Sequence, residues 1–206
     1  LSTSGDIFLY GNSAGVILKD RGARFGSRIG SGVTSSSTDL KISGDVLEYN
    51  NPSGGFTHTA TTSGTVVMES QDTSFSSLFT FKDFDLANTV SNFRIGKTTN
   101  TENVRITKSI SIAGPIYIYG GDVYTDADVS ISGGGATFEA TDILRFGASD
   151  TNVLVSTGSN PITLKSDWIA FDGSGNSAGS GNTTFSLTYI DKRKHSSRLV
   201  AKSASR

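Results

Sequence analysis

The sequence predicts an all-β protein, and it favours a parallel β-helix, or solenoid, over the alternative of a β-sandwich. Only 35% of the 206 residues are apolar, whereas Ser and Thr together number 56. No window of about 11 or more residues carries apolar side chains at helical spacing. Between Ile95 and Ile190, apolar clusters recur roughly every 6 to 10 residues, closer together than the strands of a typical sandwich. A solenoid suits this composition because each coil needs only a few inward apolar residues.

Short alternating runs of apolar residues predict the individual strands, and Gly, Asn, Asp and Ser separate them. Three such strands in roughly 20 residues is the rhythm of a solenoid coil, so residues 1–190 are predicted to form one solenoid of roughly 20-residue coils. The best helical window, 82–93, is rich in β-branched and capping residues and is not predicted as a helix. The predicted strands are 6–10, 15–19, 39–42, 45–49, 65–69, 78–81, 93–95, 104–106, 109–112, 115–119, 128–131, 142–146, 152–155, 161–164, 167–171 and 184–190.

The C-terminal segment 191–206 differs in charge from the rest of the chain. It contains six of the 18 basic residues, among them Lys192, Arg193, Lys194 and Arg198, and one of the 19 acidic residues. The segment therefore carries a charge of +5, and residues 1–190 carry −6. We interpret it as a basic tail that either binds an acidic surface or partner subunit, or is a solvated chain end.

The composition argues against several classes of function. The chain has no cysteine, which excludes a disulfide framework, a thiol nucleophile and a zinc ribbon. A net charge of −1 argues against a dedicated nucleic-acid-binding protein. No apolar run approaches the roughly 18 to 20 residues of a membrane-spanning helix. We therefore expect no cofactor, no nucleic-acid partner and no membrane span.

We expect neither catalytic nor metal-binding residues in this chain. Asp126 and Asp128 fall on one side of a strand, as a Ca²⁺ site or a pair of glycosidase carboxylates would require. Together with Arg94 and Arg105 they are the candidates for a polysaccharide-cleaving site, although solvated acidic turn residues are the favoured explanation of the two aspartates. His58 is one of two histidines in the chain and is not predicted to be catalytic.

Three tyrosines are the candidates for a surface contact. Tyr117 and Tyr119 alternate with isoleucines, so one of the two sets faces the core and the other faces outward. If the tyrosines face outward, they are expected to form a ladder with Tyr124 on a neighbouring coil. Such a ladder would offer a platform for sugars or a protein partner, or would simply shield the sheet. The remaining large aromatic residues near the C-terminus, Trp168, Phe171 and Phe185, are expected to fill the core of the last coils.

Residues 91–131 read SNFRIGKTTNTENVRITKSISIAGPIYIYGGDVYTDADVSI. With the segments 64–75, 140–149 and 161–181, this stretch resembles, in the same order, the shaft repeats of filamentous-haemagglutinin-like giant secreted adhesins of Gram-negative bacteria. The resemblance implies a right-handed parallel β-helix in a secreted or cell-surface protein. The family supplies no catalytic motif, so the resemblance assigns no residue a catalytic role.

We therefore predict a non-enzymatic structural or adhesive module of a secreted or cell-surface bacterial exoprotein, acting in attachment, aggregation, or the assembly of a matrix or filament. Expected partners are other protein subunits, the surface of a host or neighbouring cell, and glycans. End-to-end self-association is also expected, because the end coils of a solenoid expose unpaired backbone groups. The alternative is a polysaccharide-binding or polysaccharide-cleaving β-helix protein.

Overall fold

The structure, a computed structural model, describes residues 6–11, 15–19, 24–29, 32–34, 37–50, 57–147 and 153–171. Within these ranges all the regular elements are β-strands, which confirms the all-β prediction. No helix long and apolar enough to cross a membrane occurs among the described residues. The strands are β1 (Ile7–Tyr10), β2 (Val16–Lys19), β3 (Arg24–Ile29), β4 (Gly32–Thr34), β5 (Leu40–Ser43), β6 (Leu47–Asn50), β7 (His58–Thr61), β8 (Thr65–Glu69), β9 (Phe79–Phe81), β10 (Phe84–Leu86), β11 (Asn92–Ile95), β12 (Val104–Ile106), β13 (Ile110–Ile112), β14 (Ile116–Gly120), β15 (Val123–Thr125), β16 (Val129–Ile131), β17 (Ala136–Ala140), β18 (Ile143–Phe146), β19 (Val155–Ser156), β20 (Ile162–Lys165) and β21 (Trp168–Phe171).

Most of these strands pair in parallel and in a regular order. The seven-stranded sheet has the order β1-β5-β8-β11-β14-β17-β20, the five-stranded sheet β21-β18-β15-β12-β9, and the three-stranded sheet β13-β16-β19. From β5 onward, each strand in these sheets therefore pairs with the strand three places further along the chain. This arrangement is compatible with a solenoid, and it differs from the antiparallel pairing of a β-sandwich.

We use coil for the stretch of chain that runs from one strand to its parallel partner. The first coil departs from the regular order because it holds one additional strand. β3 and β4 form an antiparallel pair in which Ile29 lies opposite Gly32, and β3 also pairs in parallel with β7. As a consequence, β1 pairs with β5 and β2 with β6, four places along the chain rather than three. The extra strand increases the number of places between paired strands from three to four and leaves their parallel pairing intact.

The length of chain between paired strands varies along the seven-stranded sheet. Ile116 pairs with Ala136, and Ala136 pairs in turn with Ile162, so the second of these coils is clearly longer than the first. The coil that joins Val66 to its partner Phe93 is longer again. A coil of roughly 20 residues, as the sequence predicts, matches the coil that begins at Ile116 and is too short for the other two. The coils are unequal because the corners between strands differ in length.

The core lies between the sheets and is built from alternate residues of each strand. In β14, Ile116 and Ile118 are fully buried, while Tyr117 and Tyr119, which alternate with them, are half-buried. Burial of each such side chain contributes about 1.5–3 kcal/mol relative to exposure. Phenylalanines also contact each other between strands, with ring centroids 5.4 Å apart for Phe81 and Phe93. The low apolar content is sufficient because most of the described Ile, Leu, Val and Phe residues are buried.

One corner between the seven-stranded and five-stranded sheets is held by a buried amide. Asn100 is 2% exposed. Its Nδ2 donates hydrogen bonds to the backbone oxygens of Tyr119, at 2.9 Å, and Glu102, at 3.0 Å. Its Oδ1 accepts hydrogen bonds from the Phe75 backbone N–H, at 3.1 Å, and from the Ser74 hydroxyl, at 2.8 Å. A single side chain thus satisfies backbone groups on three successive coils, where water would otherwise be needed.

All the predicted strands that fall within the described ranges overlap an observed strand, but several observed strands were not predicted. The predicted strand 184–190, Phe185 and the basic tail lie outside the described residues. Trp168 was expected in the core and instead lies 58% exposed, in register with outward-facing Ile143. Phe171 does lie in an inward row, stacked on Phe146 at 5.4 Å, although it is 42% exposed. The unpredicted strands are β3, β4, β7, β10, β15 and β17.

Candidate binding surface on the seven-stranded sheet

The outward residues of the seven-stranded sheet form two parallel rows, which we call the outer face. They lie in register because strands in this sheet pair without a shift of face. Gly96 occupies the position between Glu69 and Tyr119, and its backbone N–H donates to the Met68 oxygen. The first row is Phe8, Lys41, Val67, Arg94, Tyr117, Thr137 and Thr163, and the second is Tyr10, Ser43, Glu69, Gly96, Tyr119, Glu139 and Lys165.

Aromatic side chains occur on the outer face as two pairs. Phe8 and Tyr10 on β1 are 51% and 62% exposed, and their rings stack with centroids 6.1 Å apart. Tyr117 and Tyr119 on β14 are half-buried and occupy the same two rows. The tyrosines therefore face outward and the isoleucines inward, one of the two orientations that the alternating sequence allowed.

Ion pairs occupy the outer face between and beyond the aromatic pairs. Glu69 accepts hydrogen bonds from two cations, Lys41 at 2.7 Å and Arg94, while its own side chain is only 5% exposed. Farther along, Glu139 is paired with Lys165. Each cation of the two rows is therefore paired with a carboxylate of the same face, and because Lys41 and Arg94 share Glu69 the rows keep a net charge of +1.

The hydroxyl of Tyr119 remains protonated at neutral pH. Its pKa is raised above the usual value of about 10, first by burial and then by the negative charge of Glu139. A neutral phenol both donates and accepts a hydrogen bond. Tyr119 thus adds a hydrogen-bonding group to an otherwise ion-paired surface.

The predicted tyrosine ladder is wrong in one respect, because Tyr124 belongs to a different sheet. It lies on β15 of the five-stranded sheet, in register with Arg105 on one side and Arg145 on the other. Its hydroxyl donates a hydrogen bond of 2.8 Å to Asp122, and burial together with this contact raises the pKa of Tyr124. The chain between Tyr119 and Tyr124 turns a corner at Gly120 and Gly121, which the alternation in the sequence does not reveal.

The four residues considered for polysaccharide cleavage do not come together in a single site. Arg105 donates to Asp126 at 2.7 Å, and the Asp126 side chain is 5% exposed. Asp128 is exposed and accepts a hydrogen bond from the Leu154 backbone N–H at 2.8 Å. Arg94 lies on the outer face of the other sheet, beside Glu69. Across the part of the chain that the structure describes, no three His, Cys, Asp or Glu side chains are grouped as a metal site would require.

His58 is a core residue rather than a surface one. It is 1% exposed and lies opposite Phe84, with ring centroids 6.4 Å apart. Burial lowers its pKa below the ordinary value, although a hydrogen bond to the Leu18 backbone and the charge of Asp83 act in the opposite direction. The basic-tail residues Lys192, Arg193, Lys194 and Arg198 lie outside the described residues.

Comparison with known proteins adds no identification: no family model matches the chain, and neither a curated protein nor a solved structure is significantly similar to it. The likeness to filamentous-haemagglutinin-like adhesins therefore remains a prediction from the sequence.

Proposed function

We propose that the chain forms a right-handed parallel β-helix that serves as a non-enzymatic structural and adhesive module of a secreted or cell-surface bacterial exoprotein. The observation that carries this proposal is that in three sheets, from β5 onward, the strands pair with the strand three places further on. Three strands per coil, each stacked in parallel on the next coil, is the architecture of a triangular solenoid. Parallel crossover connections are right-handed in almost all proteins, which supports the proposed hand.

The surface chemistry is consistent with a shaft that presents binding groups. A solenoid offers long, regular faces on which side chains from successive coils line up. On this chain, the acidic residues considered for catalysis are engaged in structural contacts, Asp126 with Arg105 and Asp128 with the Leu154 backbone. The outer face instead presents aromatic rings, which are typical of contact surfaces. The resemblance to secreted adhesins supports the proposed location.

Adhesion is tested by displaying the chain on a bacterium that does not adhere. Cells carrying residues 1–206 on an inert anchor are expected to attach to host-cell layers or to aggregate more than cells carrying the anchor alone. The matched control is Ile118→Asp, which places a charge at a fully buried position and is expected to abolish folding. Equal attachment by the native chain, the Ile118→Asp variant and the anchor alone would contradict the proposal.

Assembly is a separate part of the proposal and needs its own experiment. Stacked parallel coils propagate by adding strands at a sheet edge, which favours end-to-end association into a filament or matrix. Negative-stain electron microscopy of the purified chain at increasing concentration is expected to show filaments. Dispersed monomers at every concentration would remove self-assembly from the proposal and leave the adhesive role intact.

The alternative function is that of a polysaccharide-binding protein, and the two aromatic pairs on the outer face favour it. Polysaccharide cleavage would in addition need Asp126 or Asp128 as a catalytic carboxylate. Incubation with a panel of polysaccharides, followed by measurement of new reducing ends, tests this directly. Release of sugar that is lost in both Asp126→Asn and Asp128→Asn would replace the non-enzymatic proposal.

A further inference from the structure

The two aromatic pairs of the outer face share a geometry that a single extended ligand could use. Phe8 and Tyr10 occupy the same two rows as Tyr117 and Tyr119, and three strands, β5, β8 and β11, lie between them. Four steps of about 4.8 Å between neighbouring strands place the pairs about 19 Å apart. All four rings project from the same side of one sheet, so a chain that runs across the strands would meet both pairs.

The surface between the aromatic pairs is polar and nearly neutral. Lys41 and Arg94 are both paired with Glu69, and beyond the tyrosines Lys165 is paired with Glu139. Glu69 already engages both cations, so a polyanion would compete with this carboxylate and would meet a net charge of only +1. A ligand with hydroxyl groups would instead find donors on the partly exposed Lys41 and Arg94 and an acceptor on the partly exposed Glu139.

We propose that the outer face binds an uncharged glycan chain, laid across the strands from the Phe8–Tyr10 pair to the Tyr117–Tyr119 pair. A pyranose ring has an apolar C–H face that packs on an aromatic ring, and a rim of hydroxyls that both donate and accept hydrogen bonds. The aromatic pairs match the first feature, and the donors on Lys41 and Arg94 together with the Glu139 carboxylate match the second. This inference rests on the adhesive function proposed above and names the class of ligand for it.

Isothermal titration calorimetry of the full chain tests the proposal with defined probes. These are disaccharides and hexasaccharides of β-1,4-linked glucose, α-1,4-linked glucose, β-1,4-linked N-acetylglucosamine and α-1,6-linked mannose, with a heparin hexasaccharide as the acidic probe. At least one neutral hexasaccharide is expected to bind, and to bind about tenfold or more tightly than its disaccharide because it contacts both aromatic pairs. Heparin is expected to bind more weakly than that neutral probe.

Three variants separate the contributions of the aromatic residues. The double variant Tyr117→Ala/Tyr119→Ala is expected to weaken the neutral hexasaccharide by about tenfold or more. The double variant Phe8→Ala/Tyr10→Ala is expected to remove the advantage of the hexasaccharide over the disaccharide. Tyr124→Ala, which changes a tyrosine on the five-stranded sheet, is the matched control and is expected to leave binding unchanged. Thermal unfolding of each variant verifies that it folds.

Three results would overturn the inference. The first is the absence of binding by every neutral probe, and the second is tighter, salt-sensitive binding of heparin, which would identify a polyanion site instead. The third is concentration-dependent dimerisation in sedimentation experiments that Tyr117→Ala/Tyr119→Ala abolishes, since this would show that a second copy of the chain occupies the face. If displayed cells still adhere after any of these results, only the glycan assignment fails. If native cells do not adhere at all, the proposed function fails as well.

Discussion

The outer face of the seven-stranded sheet and that of the three-stranded sheet differ sharply although the same coils build both. The outward positions of β13, β16 and β19 are Ser111, Ser130 and Ser156, which lie in register with one another. At the corresponding positions of the seven-stranded sheet lie tyrosines and ion pairs. One sheet thus presents a row of small hydroxyls, and the other presents rings and charges.

The inner faces of the two sheets are alike, which indicates that the inward-facing residues specify the fold. Ile110 and Ile112 of the three-stranded sheet are each 2% exposed, and Ile116 and Ile118 of the seven-stranded sheet are fully buried. Because side chains alternate between the two faces of a strand, the outward residues can change without altering the core. The contrast between the outer faces therefore carries information about function, whereas the inner faces carry information about stability.

The largest predicted effect tests whether the two inner faces contribute equally. Ile118→Ala and Ile112→Ala each delete a buried side chain, so each is expected to lower the free energy of unfolding by about 2–5 kcal/mol. Urea denaturation followed by circular dichroism measures both changes. A cost below about 1 kcal/mol for Ile112→Ala alone would show that the three-stranded sheet is not a full part of the core.

A smaller effect is expected when the two outer faces are compared directly. Glu69→Gln removes the charge that pairs with Lys41 and Arg94, which are themselves about one-third exposed and partly solvated. We therefore expect it to lower the free energy of unfolding by about 1–2 kcal/mol in low salt and by less in high salt. Ser130→Ala on the three-stranded sheet serves as the control, with an expected change within about 0.5 kcal/mol. Equal effects of the two substitutions would show that the ion pairs do not stabilise the outer face.

Much of the fold could be predicted from alternation in the sequence, because apolar residues at every second position specify an inner row. Runs such as 115–119 and 65–69 were predicted almost to their ends for this reason. Some of the missed strands, such as β17, have weaker inner rows. β17 places Ala136 and Ala140 inward beside Phe138, so its run does not look apolar. The antiparallel pair β3–β4 had a signal that was not used, since Gly30-Ser31 between the two runs is a dipeptide common in hairpins.

The candidate surface could be predicted only in part. Outward tyrosines at 117 and 119 follow from alternation once one face is known to be buried. Tyr124 was placed on the wrong sheet because the chain turns a corner at Gly120 and Gly121. The other residues of the outer face cannot be deduced from alternation, because the register between coils of unequal length brings Phe8, Glu69 and Glu139 into the same two rows. A constant repeat length would have been needed to predict these contacts.

A substitution at one buried polar residue of an inner row is expected to raise the free energy of unfolding by about 1 kcal/mol. Thr125 of the five-stranded sheet is fully buried between Ile106 and Phe146, and its hydroxyl has no hydrogen-bond partner among the described residues. Thr125→Val keeps the shape and removes the unpaired polar group, so it is expected to raise the free energy of unfolding by about that amount. Urea denaturation measures the change, with Thr125→Ser as the control that keeps the hydroxyl. Destabilisation by Thr125→Val would reveal that the hydroxyl is paired after all.

The smallest predicted effect, which is absent at neutral pH, concerns His58. Its imidazole is the only titratable ring in the core of the described residues. Burial lowers the pKa of His58 in the folded state, so the unfolded chain, whose histidines titrate near 6.5, binds more protons as the pH falls. Stability is therefore fully present above pH about 6.5 and declines below it, by no more than about 1.4 kcal/mol per pH unit for one proton. His58→Gln removes this slope between pH 7 and 5, as urea denaturation at several pH values would detect. His195→Gln changes the chain's other histidine and should leave the slope in place. A slope that survives in His58→Gln would come from other groups, the carboxylates or His195, and the core at His58 would then be no more sensitive to acid than the charged outer face.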